Sequence, residues 1–309
     1  MAKRFQGIFA PLTTPFKDEA VFLEKLKENI GAYNTYGLAG YVISGSTAES
    51  VYLSDDEIEA LVRTGKEAAS SRKIVVAGTA KESTKLTLDF SNRIAESGVD
   101  AVLIRTPGYF KSRMTQEALK RHYLTLADGV KVPLIIYHIP RYTGVDLSAA
   151  LLSELSRHEM IAGIKDSSGN MTFCAGVMPL LDEDFDYLTG AGGMLMPALM
   201  MGASGGILAL SDVAPALCTR LYDSFIDGGQ EKAREMQYKL VSLNQAITLE
   251  YGIPAVKYAL DLIGLFGGPC RLPLLPLGDA EKKRIRAILN ELGLISPAKN
   301  RKERGRRDE

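Results

Sequence analysis

Eight short apolar runs recur along the chain at the spacing of one strand-helix unit each. This recurrence constrains the fold more than any other feature. The runs end near residues 11, 44, 78, 105, 137, 165, 189 and 208. Helical sequence follows nearly all of them. Leu23, Leu26, Ile30 and Tyr33 share one helical face, with Gly37 expected as the C-cap. Ser54-Asp55-Asp56-Glu57 has the Ser-x-x-Glu form of a capping box, ahead of Ile58, Leu61 and Val62. Leu86, Phe90 and Ile94 define the next helix, and others are expected from about Thr115 and near Leu151. Eight consecutive units predict an α/β fold, a closed (β/α)8 TIM barrel. An open doubly wound sheet is the alternative, but Gly190-Ala191-Gly192-Gly193-Met194-Leu195 lacks the last glycine of a dinucleotide fingerprint.

Beyond residue 225 the pattern is helical only, with candidate helices at 233–249, 256–263 and 280–292. The expected organisation is a barrel over 1–225 carrying the active site, a C-terminal helical appendage over 226–296 packed on it, and a disordered tail over 297–309. The stretch 300–309 holds five basic and three acidic residues, the pattern of a solvated terminus rather than a nucleic-acid arm.

Composition narrows the function classes. With 37 basic and 37 acidic residues, the chain has no excess charge for nucleic acid or an anionic membrane. Cys174, Cys218 and Cys270 are odd in number and lack C-x-x-C spacing, so a reduced compartment and packing roles are expected. His122, His138 and His158 make no metal-ligand pattern. No apolar run approaches the roughly 18 residues of a membrane span. Strand-like sequence begins within a few residues of Met1, leaving no room for a targeting peptide. A cytoplasmic protein is expected.

In a barrel, chemistry gathers where the strands end. The run Ile161-Ala162-Gly163-Ile164 fits a doubly covered parallel strand and ends on Lys165. An ammonium is costly to bury, which favours the nucleophilic amine that a Schiff base requires. A lysine capping a solvated turn would read the same way. After the second strand, Gly45-Ser46-Thr47-Ala48-Glu49-Ser50 offers backbone N–H groups and hydroxyls to an anion such as a carboxylate, though a plain turn also explains it. Tyr137, at the end of the fifth strand, is a proton-relay candidate or an amphipathic core edge. Thr106-Pro107-Gly108-Tyr109-Phe110 supplies another aromatic after the fourth strand. His138 follows Tyr137, so alternation turns it to the other face, where a hydrogen-bonded structural imidazole is expected.

Together these turns resemble the dihydrodipicolinate synthase / N-acetylneuraminate lyase family of pyruvate-dependent class I aldolases, over roughly residues 5–292. The motifs are Gly45-Ser46-Thr47-x-Glu49-Ser50, Tyr137-x-x-Pro140-x-x-x-Gly144 and Gly163-x-Lys165-Asp166-Ser167. Gly202-Ala203-x-Gly205-Gly206, Gly252-Ile253-Pro254-x-x-Lys257 and Arg271-x-Pro273 support them. The resemblance implies that Lys165 forms the Schiff base and Tyr137 is the general acid/base. It places Gly45, Ser46, Thr47, Gly206 and Ile207 around the substrate. Tyr109 would be pushed into a neighbouring subunit's site, implying a homo-oligomer, usually a tetramer. No metal or organic cofactor is implied, because the iminium is the electron sink.

Within the family, the synthase branch usually has an arginine two residues after the proline of the Tyr-x-x-Pro motif. Here that position is Tyr142, with Arg141 one place earlier as the candidate for a distal carboxylate. Arg113-Met114, the Lys165-Asp166-Ser167 turn and the segment 251–271 resemble the 4-hydroxy-2-oxoglutarate aldolase branch more closely, with Ser167 holding the distal carboxylate. That branch typically has asparagine at Thr47 and glycine at Ala48, whose methyl matters if the turn needs positive φ. The expected reaction is therefore retro-aldol cleavage of 4-hydroxy-2-oxoglutarate or a similar 2-oxo-4-hydroxy acid to pyruvate and glyoxylate or another aldehyde. Condensation of pyruvate with aspartate semialdehyde is the alternative, and a non-catalytic pyruvate sensor a third reading.

Overall fold

The computed structural model describes residues 3–295. Among these, eight parallel strands close into a barrel: β1 Gly7–Pro11, β2 Gly40–Ile43, β3 Ile74–Gly78, β4 Ala101–Arg105, β5 Leu134–His138, β6 Ile161–Asp166, β7 Asp186–Thr189 and β8 Gly205–Ile207. Each strand pairs with the next, and β8 returns to β1 with Gly206 opposite Ile8. This is the (β/α)8 barrel that the recurring runs predict. Boundaries shift by a residue or so. β2 stops at Ile43 because Ser44 turns to φ 60°, while β5 takes in His138 and β6 ends on Asp166.

Strand alternation divides the side chains between two environments. Phe9, Val42, Val76, Leu103, Ile135, Leu188 and Ile207 point together as the barrel's inner cluster. Their neighbours in sequence, such as Ile8, Tyr41, Val75, Ile136 and Tyr187, pack outward against helices. Phe5 joins the inner cluster ahead of β1, and the N–H groups of Arg4 and Phe5 donate to Asp186 Oδ2 at 2.9 and 2.8 Å.

Most of the intervening helices begin where side chains cap them, the first being an exception. Helix α1 spans Leu23–Tyr33 and α2 spans Asp55–Ala68, the latter opened by the capping box of Ser54 and Glu57. Helix α3, Thr84–Ala95, is capped by Ser83, and α4, Gln116–Gly129, by Thr115. Ser148 caps α5, Ala149–Leu155, and Asn170 caps α6, Met171–Val177. Two details depart from expectation. Helix α1 ends at Tyr33 with Asn34 as C-cap, and Gly37 lies beyond it in irregular chain. Leu86 is 59 % exposed, because the buried face of α3 runs through Thr87, Phe90, Ser91 and Ile94. A small hairpin before α1, Phe16–Lys17 with Ala20–Val21, turns through positive φ at Asp18 and Glu19 and has no periodic signature.

Helix α7, Leu195–Met200, precedes β8, after which come a single helical turn at Leu210–Val213 and four helices, of which the first, α8, spans Pro215–Ile226. Helix α9, Gln230–Asn244, passes into a π-helical turn at Gln245–Glu250, and α10, Ile253–Ile263, and α11, Asp279–Glu291, follow. Leu240, Leu243, Ile247, Val256, Leu260 and Ile285 belong to the same buried cluster as Ile8 and Tyr41. At about 1.5–3 kcal/mol for each fully buried aliphatic side chain, that shared core ties the last helices to the barrel wall. The tail expected over 297–309 lies outside the described residues.

His122 on α4 gives stability a pH dependence. It is 6 % exposed, its Nδ1 meets Thr84 Oγ1 at 2.9 Å, and its Nε2 has no hydrogen-bond partner among the described residues. Burial pushes its pKa down to about 4. The unfolded chain protonates this imidazole first, so the contribution is complete above the ordinary value near 6.5 and is lost as pH falls towards 4. Between pH 7 and pH 5 the loss is about 2 kcal/mol. Urea unfolding of wild type and His122→Gln at both pH values should show a smaller pH effect in the variant. An equal effect in the two would remove His122 as its source.

Candidate active site

Parallel register places Tyr137 on β5 directly beside Lys165 on β6. Both side chains point inward at the carboxyl end, 5 % and 3 % exposed, with Lys165 Nζ 4.1 Å from the centre of the Tyr137 ring. A cavity of about 440 Å³ opens above them. Ser46, Thr47, Arg141, Ser167 and Ile207 share its wall with Tyr137 and Lys165. Gly45 instead borders a neighbouring hollow, reached past Ser46 and Tyr137, and Gly206 is buried in the strand beneath.

Tyr109 is not beside Lys165. It is 80 % exposed, stacks edge-on against Phe110 at 5.0 Å, and borders a separate hollow with Ser46 and Tyr142. Its loop is pinned by Glu82, whose Oε2 accepts from the N–H groups of Gly108 and Tyr109 while Oε1 meets Arg105 at 2.7 Å.

The hydroxyl loop after β2 is strained and heavily braced. Ser44 and Glu49 both adopt left-handed backbone, at φ 60° and 59°, on either side of a short 3-10 turn, Ser46–Ala48. Ala48 itself does not need positive φ, so its methyl costs nothing there, and its carbonyl accepts from Thr14 Oγ1 at 2.7 Å. Left-handed backbone at a non-glycine residue persists only where its surroundings over-determine it. Here Glu49 carries the load. Its carboxylate forms a fully buried ion pair with Lys257 at 2.6 Å and accepts from the Arg271 N–H at 2.8 Å. Lys257 Nζ also donates to Pro269 O at 2.7 Å and sits over the Phe16 ring at 4.4 Å. Burial pushes the Lys257 pKa down, against the pull of Glu49. Arg271 forks onto both oxygens of Glu57, at 2.7 and 2.9 Å, and onto Tyr52 O.

Behind the lysine, Asp166 organises the outer face of the strands. Its Oδ1 meets His138 Nδ1 at 2.9 Å, and its Oδ2 accepts from the Tyr187 hydroxyl at 2.5 Å and from Ser168 Oγ at 3.0 Å. Burial works to raise this carboxyl, but the hydrogen bonds outweigh it and hold the group below the usual carboxylate range. His138 is thus buried and hydrogen-bonded on the face opposite Tyr137.

The whole chain has relatives. Residues 4–292 match the family model described as the Dihydrodipicolinate synthetase family. A 4-hydroxy-tetrahydrodipicolinate synthase from Geobacter metallireducens is 35 % identical over 291 residues, covering 94 % of this chain and 100 % of that one. The crystal structure of dihydrodipicolinate synthase from Aquifex aeolicus superposes with a TM-score of 0.90 at 31 % identity, over 94 % of this chain and 99 % of that one. A chloride-inhibited dihydrodipicolinate synthase from Acinetobacter baumannii complexed with pyruvate gives 0.90 at 30 % identity, with 94 % and 99 % covered.

The chain belongs to the dihydrodipicolinate synthetase family.

It is therefore a pyruvate-dependent class I aldolase, a lyase of a family that works through a lysine Schiff base with pyruvate and no separate cofactor. Among its described residues no cluster of metal-ligating side chains occurs, and no helix is long and apolar enough to cross a membrane.

Sequence reasoning missed one side of this family member's cavity. Val241, Asn244, Gln245, Thr248 and Leu249 line it from the end of α9 and the π-helical turn. The available signal was polar residues at 244 and 248 within an otherwise apolar helical face. Arg141 also lies where its position in the motif left doubt. It stands in a one-turn helix, Pro140–Thr143, yet borders the cavity and donates from Nη2 to Leu249 O at 2.7 Å.

Removing one partner of the Glu49–Lys257 pair strands a buried charge, at a cost of about 3–5 kcal/mol. Lys257→Ala should lose that much by urea unfolding followed in the far ultraviolet, and Glu49→Leu with Lys257→Met should lose less than either single truncation. A loss under about 1 kcal/mol for Lys257→Ala would show that the loop is held by something else.

Proposed function

We propose that this chain condenses pyruvate with aspartate semialdehyde, the reaction that yields 4-hydroxy-tetrahydrodipicolinate. One observation carries the reading: Arg141 borders the same cavity as Lys165 and Tyr137, so a cation stands ready for an acceptor carrying a carboxylate. The name shared by the relatives from Geobacter and other organisms supports the choice of acceptor.

In this reading Lys165 Nζ attacks C2 of pyruvate, and the carbinolamine loses water to leave a protonated imine. Tyr137 supplies and recovers the protons of that exchange. Ser46, Thr47 and the N–H groups of their turn hold the pyruvate carboxylate. Loss of a C3 proton gives the enamine, whose carbon attacks the semialdehyde carbonyl while the new alkoxide takes a proton. Attack of the product's own amine on C2 then closes the ring and releases Lys165. Tyr109 enters such a site only from a second copy of the chain, so we take the active form to be an oligomer, a tetramer built from dimers.

A second reading keeps the cleavage direction. Tyr142 occupies the place where the synthase branch usually carries its arginine, and Ser167 with Ser168 borders the cavity, as a site for the distal carboxylate of 4-hydroxy-2-oxoglutarate would need.

The test begins with borohydride and pyruvate. Wild type should gain the mass of a reduced pyruvate adduct on Lys165, and Lys165→Ala should gain none and lose turnover by more than about a thousandfold. Adduct formation without turnover of any aldehyde would make the protein a sensor. Rates with aspartate semialdehyde are then set against pyruvate release from 4-hydroxy-2-oxoglutarate. A larger kcat/KM for the cleavage would replace the first reading by the second.

A further inference from the structure

Two residues that line the cavity with Lys165 carry buried side-chain oxygens without a hydrogen-bond partner among the described residues. Asn244 is 6 % exposed, and its Oδ1 is buried without a hydrogen-bond partner among the described residues. Thr248 Oγ1 is in the same state. Both residues line the cavity, four positions apart on one helical face as α9 passes into its π-helical turn. A buried oxygen left unpaired keeps its full desolvation cost, so two of them in one wall call for an occupant that donates.

The local backbone keeps them there. Gln237, two turns earlier on α9, donates to Gly192 O at 3.1 Å and accepts from Met196 N–H at 2.9 Å, which locks the helix onto the turn after β7. The Asn244 amide then lies on Gly192 and Gly193, where a Cβ at Gly192 would stand 2.8 Å from its Oδ1. The Tyr251 N–H bonds Ala246 O at 3.0 Å, five residues back, and this wider turn carries Thr248 and Leu249 at the cavity edge. π-turns of this kind are frequent at functional sites. Leu249 O is the acceptor that holds the Arg141 guanidinium. A cation and the residues bearing the two acceptor oxygens therefore line one cavity.

We propose that Arg141, Asn244 and Thr248 together read an amino-acid headgroup on the acceptor: the carboxylate on Arg141, the ammonium on Asn244 Oδ1 and Thr248 Oγ1. This rests on the condensation reading and names what its distal pocket selects. An acceptor without the ammonium leaves both oxygens unpaired, and sites built to bond a substrate group discriminate strongly against analogues that lack it.

The experiment uses the full chain and two aldehydes that differ by one amino group, aspartate semialdehyde and succinate semialdehyde, each with pyruvate. Because succinate semialdehyde lacks the amine that closes the ring, it serves as a competing ligand. The ratio of its inhibition constant to the KM for aspartate semialdehyde is measured for wild type, Asn244→Leu and Thr248→Val, with borohydride trapping of pyruvate as the check that each site is assembled. Wild type should prefer the amino aldehyde, and the ratio should fall by at least about tenfold in each variant. Thr248→Val keeps the side-chain shape and carries the test alone if Asn244→Leu does not fold. An unchanged ratio in a variant that still traps pyruvate overturns the headgroup site and leaves the condensation standing. If wild type traps pyruvate but does not consume aspartate semialdehyde, the condensation reading fails and takes this inference with it.

Discussion

Closure of the sheet is the constraint on which everything else depends. Once eight parallel strands meet end to end, every second side chain of each strand points inward and the others must face helices. Tyr137 and Lys165 are then neighbours by register, and His138 and Asp166 are neighbours on the opposite face for the same reason. The inward pair and its outward support are therefore two sides of one strand pairing. A one-residue slip between β5 and β6 would exchange them, burying an imidazole where the phenol belongs. The four hydrogen bonds that converge on the Asp166 carboxylate from His138, Tyr187 and Ser168 oppose that slip from outside the barrel.

The second organising device is charge placed where water cannot reach it. Glu49 and Lys257 are fully buried and far apart in sequence, joining the hydroxyl loop after β2 to the start of α10. Burying two ions is seldom a net source of stability, because desolvation offsets their attraction. Its use here is geometric. The pair, with the Arg271 N–H on the same carboxylate, leaves Glu49 little freedom to relax its left-handed backbone. That backbone is what turns Ser46 and Thr47 towards the cavity. Strain in the loop is stored against contacts from the other end of the chain, so the C-terminal helices take part in shaping the hydroxyl turn.

How far the sequence was legible follows from the range of the interactions involved. The strands were visible because apolar runs with polar ends are local, and the helix starts because Ser54 with Glu57 needs only four consecutive residues. Lys165, Tyr137, Ser46 and Thr47 stood at strand ends, and a barrel brings all strand ends to one place. Gly37 misled because a glycine after an apolar stripe resembles a C-cap, whereas the chain had already turned at Asn34. Leu86 misled because i, i+4, i+8 spacing drifts off a helical face over two turns, leaving the first residue at its edge. Arg141 could not be placed from its motif, since its direction depends on Leu249, more than a hundred residues away.

The least legible part is the wall that faces the lysine, for a physical reason. Catalytic groups on strand ends are positioned by the barrel itself, so their chemistry is readable from short motifs. The opposing wall is set by how α9 docks on the turn after β7, through Gln237, Gly192 and Met196. It also depends on where the helix widens into a π-turn, which no local pattern announces. Such a wall can change its polar residues without disturbing the strands, because it hangs on helix docking rather than on strand pairing. The lysine's place is a property of the barrel, whereas this wall is a property of the helix docked on the turn after β7. Shared identity along the chain therefore speaks more directly to the first than to the second.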